Sequence, residues 1–173
     1  MDIKEIVKNL KIIEAPNPML SMKCEPIEAW THDYTLLADA MIDLMKDSNG
    51  VGLAAPQVGL PIRFFVAETD GHRICIANPE IVFRSEEKEW EDEGCLSFPD
   101  IKVPVLRSLQ IELRGMIGDN SYSTFAPEGF MARVVQHEID HLDGICHVNY
   151  LDRKHKRRLM SILKKKHKKN DRK

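Results

Sequence analysis

The sequence predicts an α+β fold with a mostly antiparallel sheet and a C-terminal helix, on three observations. Short β-patterned stretches stand in one block between residues 62 and 125 instead of alternating with helices. Helix-patterned segments flank that block, over 33–46 before it and about 127–143 after it. The later segment carries His137-Glu138-Ile139-Asp140-His141, an H-E-x-x-H pattern inside an apolar-patterned stretch. At 173 residues, one domain over 1–150 followed by a tail over 151–173 is the expected organisation.

Each element has its own warrant. Ile3, Ile6, Val7 and Leu10 recur at helical spacing, which predicts a short helix over 2–10. Pro16, Pro18 and Pro26 predict an extended loop. Over 33–46, Leu36, Leu37, Ala40, Met41, Leu44 and Met45 form an apolar stripe, with Thr31 or Asp33 as cap and Asp47-Ser48-Asn49-Gly50 as turn. The stretch from Gly50 to Gly59 is built of small residues around one amide, Gln57; it reads as a tight bend and lacks the spacing of a phosphate-binding loop. Strands are expected over 62–67, 73–77, 81–84, 88–92, 102–106, 109–114 and 121–125, with breaks at Asp70-Gly71, Asn78-Pro79 and Gly118-Asp119-Asn120. Pro127 suits the first turn of the H-E-x-x-H helix and Gly144 its stop. Leu151, Leu159, Ile162 and Leu163 among many Lys and Arg predict an amphipathic helix over 151–168.

Composition bounds the setting. With 43% hydrophobic and 30% charged residues the chain has the means for an ordinary core. No apolar run approaches the roughly 20 residues of a membrane helix, so no membrane partner is expected. The N-terminus lacks the apolar region of a secretory signal, and four unevenly spaced cysteines (Cys24, Cys75, Cys95, Cys146) do not resemble a disulfide framework. A cytoplasmic location is the expectation. The net charge of −2 conceals a polarity: residues 151–173 hold 12 Lys or Arg against 2 Asp, so the body is acidic and the tail basic.

On a helix, His137 and His141 share a face and can close on one divalent metal. Glu138, one residue on, can reach a water at that metal without ligating it, which suits a general base. A catalytic site needs a third protein ligand. No Glu follows Glu138, which closes the option of a downstream Glu ligand. His147 completes H-E-x-x-H-x-x-G-x-x-H, the metzincin pattern, although Met160 lies in a Lys/Arg-rich stretch that suits a Met-turn poorly. Cys95 is the other candidate, beside Gly94, which permits close backbone approach.

Three stretches together resemble the peptide deformylases of the bacterial type. Gly50-Val51-Gly52-Leu53-Ala54-Ala55-Pro56-Gln57 is similar to that family's G-x-G-L-A-A-x-Q, Glu93-Gly94-Cys95-Leu96-Ser97 to E-G-C-L-S, and Gln136-His137-Glu138-Ile139-Asp140-His141 to Q-H-E-x-D-H. They stand in the family's order, within a resemblance spanning about residues 12–150. The chain departs from the family at Ser21, where Arg is usual, and at His147 and Asn149, where an aromatic and Asp are usual. The resemblance implies antiparallel sheets packed around a central H-E-x-x-H helix. It implies Cys95, His137 and His141 as ligands of one divalent metal, natively Fe2+, with Zn2+, Ni2+ or Co2+ as substitutes. Glu138 becomes the acid/base, and the Gln57 amide and Leu96 backbone N–H the oxyanion donors. Val51, Gly52, Leu53, Glu93, Gly94, Phe130 and Val134 become substrate-binding residues. Separately, Asp140 and Arg107 are expected to pair and orient His141 or the helix. The implied substrates are N-formylmethionyl peptides and nascent chains, and the implied partner of the basic tail is the ribosome. A metzincin-like peptidase using His147 and an inactive binding module on the same fold stay open as alternatives.

Overall fold

The computed structural model describes residues 3–170, with side chains through Lys165. Asp2 of the expected first helix and residues 171–173 of the tail lie outside the described residues. Helix α1 (Ile3–Lys8), a 3-10 turn (Pro18–Ser21) and helix α2 (His32–Asp47) come first. Strand β1 (Gly52–Ala54) runs into a second 3-10 turn (Ala55–Val58), then β2 (Phe64–Thr69), β3 (His72–Arg84), β4 (Lys88–Cys95), β5 (Phe98–Ser108), β6 (Ile111–Met116) and β7 (Tyr122–Phe125). Helix α3 (Gly129–Leu142), a 3-10 turn (His147–Tyr150) and helix α4 (Arg153–Asn170) complete the chain. Strands β1-β2-β3-β6-β7 form one sheet and β4-β5 a second; every strand pairing is antiparallel.

Strand β2 shows why the molecule layers as it does. Alternate residues of a strand face opposite ways. Phe64 and Val66 join Leu37, Met41 and Met45 of α2 in one core, while Phe65 and Ala67 join Ala132, Val135, Ile139 and Leu142 of α3 in another. The strand is buried on both faces, hence its unbroken apolar run. Full burial of side chains such as Leu37 or Met41 is worth about 1.5–3 kcal/mol each. A third cluster gathers Leu20, Phe98, Val103, Val105, Cys146 and Val148 under β5, with Leu159, Met160 and Leu163 of α4 against it.

Several local expectations need correction. The two strands expected over 73–77 and 81–84 are one strand, β3, which passes Asn78-Pro79 through a register shift. Asn78 adopts φ 51° there, and its side-chain amide pairs with both the N–H and the C=O of Ile27. Pro127 precedes α3 and is not in its first turn. Pro127 and Glu128 are held against Leu109–Ile111, at the start of β6, because Ile111 N–H bonds to Pro127 O and Gly129 N–H to Leu109 O. Thr31 is the cap residue of α2, although its side chain makes no cap hydrogen bond. In α4 the inward stripe contains Met160, whereas Ile162 is 54% exposed. Asp152 caps α4 by accepting from the N–H groups of Lys154 and His155.

Candidate metal centre

Helix α3 is positioned by polar side chains as much as by its apolar face. Gln136 accepts from Ser108 N–H at 3.3 Å and donates to Ser108 O at 2.9 Å, which fastens the helix to the end of β5. Gly144 ends it with φ 73°; a Cβ there would lie 2.8 Å from Ser21 O. One and two turns before that end, His141 and His137 stand with ring centroids 4.9 Å apart.

The second sheet delivers the sulfur. Strands β4 and β5 reach further than 88–92 and 102–106, and Cys95 pairs with Phe98 across the two-residue turn Leu96-Ser97. The Cys95 Sγ lies 3.2 Å from His141 Nε2. One ligand atom each from Cys95, His137 and His141 lies within 4.8 Å of the others, the one such cluster among the described residues. His147 does not join it. Its Nε2 donates to Ile101 O at 3.2 Å, its ring stands edge-on to Phe98, and it is buried. The metzincin alternative is therefore not favoured. A thiolate with two imidazoles is a donor set for a late first-row divalent metal, so the residues present fit such an ion.

Around these donors the electrostatics favour a cation. His137 Nδ1 faces Glu93 Oε2 at 2.9 Å, so Nδ1–H donates to the carboxylate, which leaves Nε2 as the lone-pair donor. Burial opposes charge on Glu93, yet hydrogen bonds from His137 and Arg107 hold its carboxyl well below the usual carboxylate range. Burial likewise opposes charge on His137, but Cys95 and Glu93 raise its pKa well above the ordinary value. Burial and the neighbouring His137 hold His141 well below it. Arg107 donates twice to Glu93, at 2.9 and 3.0 Å, and to Asp140 at 2.7 Å, so the Arg107–Asp140 pair exists. The Tyr150 hydroxyl, which the sequence reading passed over, donates to Asp140 at 2.8 Å.

Glu138 is 3% exposed, and its Oε2 has no hydrogen-bond partner. Burial pushes its carboxyl up to about 7. Gly52 explains how it fits. A Cβ at Gly52 would overlap Glu138 Oε1 and lie 2.9 Å from both Glu138 Cδ and Val134 Cγ1, so only glycine lets β1 pass this close. Gln57 is equally constrained. Its Oε1 accepts from Ala54 N–H at 2.8 Å, which turns its amide nitrogen toward Ser97 Oγ (3.2 Å) and Cys95 Sγ (3.5 Å).

These groups open on a cleft of about 690 Å³ lined by Val51, Gly52, Gln57, Gly94, Cys95, Leu96, Phe130, Val134, His137 and Glu138. Leu53 is placed differently from the sequence expectation, whereas Glu93 does line the cleft, with its carboxylate already engaged. The Leu53 side chain is fully buried in the core under α2, and the Glu93 carboxylate is occupied by Arg107, Arg133 and His137. Arg133 went unread in the sequence. Its signal was a cation four residues before His137, on the same helix face as the ligands.

Residues 9–157 match the family described as polypeptide deformylase. A peptide deformylase of Rhodopirellula baltica is 45% identical over 141 residues, covering 79% of this chain and 70% of its own. One from Dictyoglomus thermophilum is 42% identical over 135 residues, covering 78% and 88%. Among solved structures, that of Thermotoga maritima peptide deformylase superposes with TM-score 0.79 at 37% identity, covering 81% of this chain and 95% of that one. The Ehrlichia chaffeensis peptide deformylase solved with actinonin does so with TM-score 0.85 at 34% identity, covering 91% and 96%.

Proposed function

The chain belongs to the polypeptide deformylase family, and on that premise we propose that Cys95, His137 and His141 hold its divalent metal while Glu138 moves the proton. Its reaction removes the formyl group from the N-terminal formyl-methionine of nascent proteins and releases formate. The observation that carries the assignment is the meeting of three donor atoms within 4.8 Å beside a buried, unpartnered Glu138 oxygen. When bound there, the cation supplies Lewis acidity toward water and the formyl oxygen. Glu138 takes a proton from the attacking water and returns it to the amine nitrogen, which cannot leave as an amide anion. A carboxyl near 7 is suited to both transfers. Gln57 Nε2 and the Leu96 N–H stabilise the oxyanion, and one such donor is commonly worth ~3–4 kcal/mol. Val51, Gly52, Gly94, Phe130 and Val134 receive the methionine side chain and the peptide that follows it, an apolar wall suited to an unbranched thioether. In this reading Glu93 orients His137 and does not touch substrate, and Leu53 supports the cleft from the core.

Fe2+ is the proposed native metal, with Zn2+, Ni2+ or Co2+ as substitutes that the same donors accept. Four free cysteines agree with a reducing, cytoplasmic setting. Among the described residues no helix is long and apolar enough to cross a membrane. We assign residues 1–150 to catalysis and 151–173 to a basic tail that docks on the ribosome, an expectation supported by the exposed cations of α4.

Replacement of active groups tests the site. Glu138→Ala should lower kcat by about 10²–10⁴ and Gln57→Ala by about 10²–10³, each with its metal retained. Formate release at the wild-type rate by either purified variant would sink the assignment. Bound metal should fall in Cys95→Ala and hold in His147→Ala; the reverse result would restore His147 as ligand.

A further inference from the structure

Arg133 stands one turn before His137 on α3 and is 6% exposed. Its guanidinium reaches four acceptors, all on the second sheet. The Nε pairs with Glu91 Oε2 at 2.7 Å. The Nη1 donates to Glu93 Oε1 and to Val105 O, each at 3.0 Å. The Nη2 donates to Glu89 O at 2.8 Å. Three acceptors are on β4 and one is on β5. Other ties between α3 and this sheet each involve one strand: Gln136 to Ser108 and Asp140 to Arg107 of β5, His137 to Glu93 of β4. Among the described residues, only Arg133 bonds from α3 to the main chain of both strands.

The consequence is geometric. Strand β4 ends at Cys95, two residues beyond Glu93, and the imidazoles sit on α3. The distance between thiol and rings is therefore set by how α3 lies on the hairpin. A planar fork that holds two main-chain carbonyls and a buried carboxylate fixes that distance in a way a point charge cannot. We infer that Arg133 is a positioning residue for the metal: it sets the separation of the Cys95 strand from the His137 turn, and metal affinity depends on the shape of its fork as well as its charge. This rests on the reading of Cys95, His137 and His141 as ligands. Glu91, whose side chain is 48% exposed, contributes little to the clamp, because an exposed ion pair is weak.

The experiment uses the full chain loaded with Co2+. Affinity is measured by competition with a chromophoric chelator, and thiolate ligation by the near-ultraviolet sulfur-to-cobalt charge-transfer band. Wild type should show the band and Cys95→Ala should not; a wild-type spectrum without it overturns the ligand assignment and this inference with it. Arg133→Lys keeps the charge and loses the fork. It should weaken Co2+ binding by about 10- to 100-fold and shift the band. Glu91→Gln should stay within about twofold of wild type, as expected for an exposed pair. Should Arg133→Lys be insoluble, Arg133→Gln, which removes charge and fork together, still tests the positioning role through Co2+ affinity and the band. A folded Arg133 variant with a lowered thermal midpoint but wild-type Co2+ affinity and an unshifted band would overturn the positioning role.

Discussion

Helices α3 and α4 both carry cationic side chains, and the two use them in opposite ways. Arg133 of α3 is buried with acceptors at every nitrogen, and Arg107 meets the same helix from β5 through Glu93 and Asp140. In α4, Arg153, Lys154, Arg157, Arg158, Lys164 and Lys165 are exposed, and among the described residues none of them forms an ion pair. A buried cation acts through the position of its neighbours, is insensitive to salt, and is costly to remove alone. An exposed run of like charge acts through its long-range field, which salt screens within about 8 Å at physiological ionic strength. The acidic body and basic tail are thus different kinds of electrostatics joined at Asp152.

Single substitutions should separate the two regions sharply. Arg107→Met removes a buried guanidinium that donates to both Glu93 and Asp140, leaving Glu93 to Arg133 and His137 and Asp140 to Tyr150; it should cost about 3 kcal/mol of stability, whereas Arg157→Gln in α4 should fall within about 0.5 kcal/mol. Urea unfolding of both variants checks this, and equal losses would dissolve the distinction. Next in size is Gly52→Ala. Its methyl group must displace Glu138 or Val134, so formate release should drop by about 100-fold with metal retained, because a shift near 1 Å at a reacting group costs that much. An alanine variant of near-normal rate would show that the β1–Glu138 approach is looser than its contacts imply.

His147 makes a smaller, pH-dependent prediction on the buried side of the comparison. Burial lowers its pKa to about 4, against about 6.5 for an exposed imidazole. Above pH 6.5 both folded and unfolded chains hold it neutral and it has no effect on the balance. As pH falls from 6.5 toward 4 the unfolded chain takes a proton that the fold refuses, so stability declines, by about 3 kcal/mol at pH 4. His147→Phe removes that loss, and also the buried Nδ1 that has no partner. Its urea midpoint should fall less than wild type's between pH 7 and 5; parallel decline in both proteins would assign the acid sensitivity elsewhere.

What could be read from the sequence follows the same division between local and long-range causes. The run of β2 and the histidine spacing of α3 are local periodicities, and they appear where periodicity places them; in α2 the buried face is Leu37, Ala38, Met41, Ile42 and Met45, rotated from the expected stripe so that Leu36 is exposed. Cys95 needed more than periodicity: read alone it was one thiol among four, and the E-G-C-L-S stretch singled it out. The Asn78-Pro79 break failed as a prediction because a side-chain amide clasps Ile27, 51 residues away, and carries the strand through. Arg133 was overlooked because its acceptors are carbonyls of β4 and β5, and no local pattern marks which carbonyl a distant guanidinium will find. Leu53 shows the same gap: its neighbours line the cleft, but strand alternation turns its own side chain into the core.

The smallest expected effect on chemistry lies in the tail, and it gives the clearest contrast with the body. Deleting residues 151–173 would also strip Leu159, Met160 and Leu163 from the third core, so loss of function after deletion is ambiguous. Neutralising exposed positions avoids this. A variant combining Arg153→Gln, Arg157→Gln, Arg158→Gln and Lys165→Gln leaves the inward stripe intact. Its kcat/KM on a short formyl-methionyl peptide should stay within about twofold of wild type, because exposed charges beyond a Debye length are screened from the cleft. Its recovery with sedimented ribosomes should fall, and wild type's own recovery should drop steeply as salt rises from 50 to 200 mM, in proportion to the phosphate contacts it makes. If the variant sediments like wild type at low salt, α4 is a solvated face and the ribosome contact belongs elsewhere. If its turnover of the short peptide falls instead, the field of the tail reaches the cleft, and the two electrostatic regions are one.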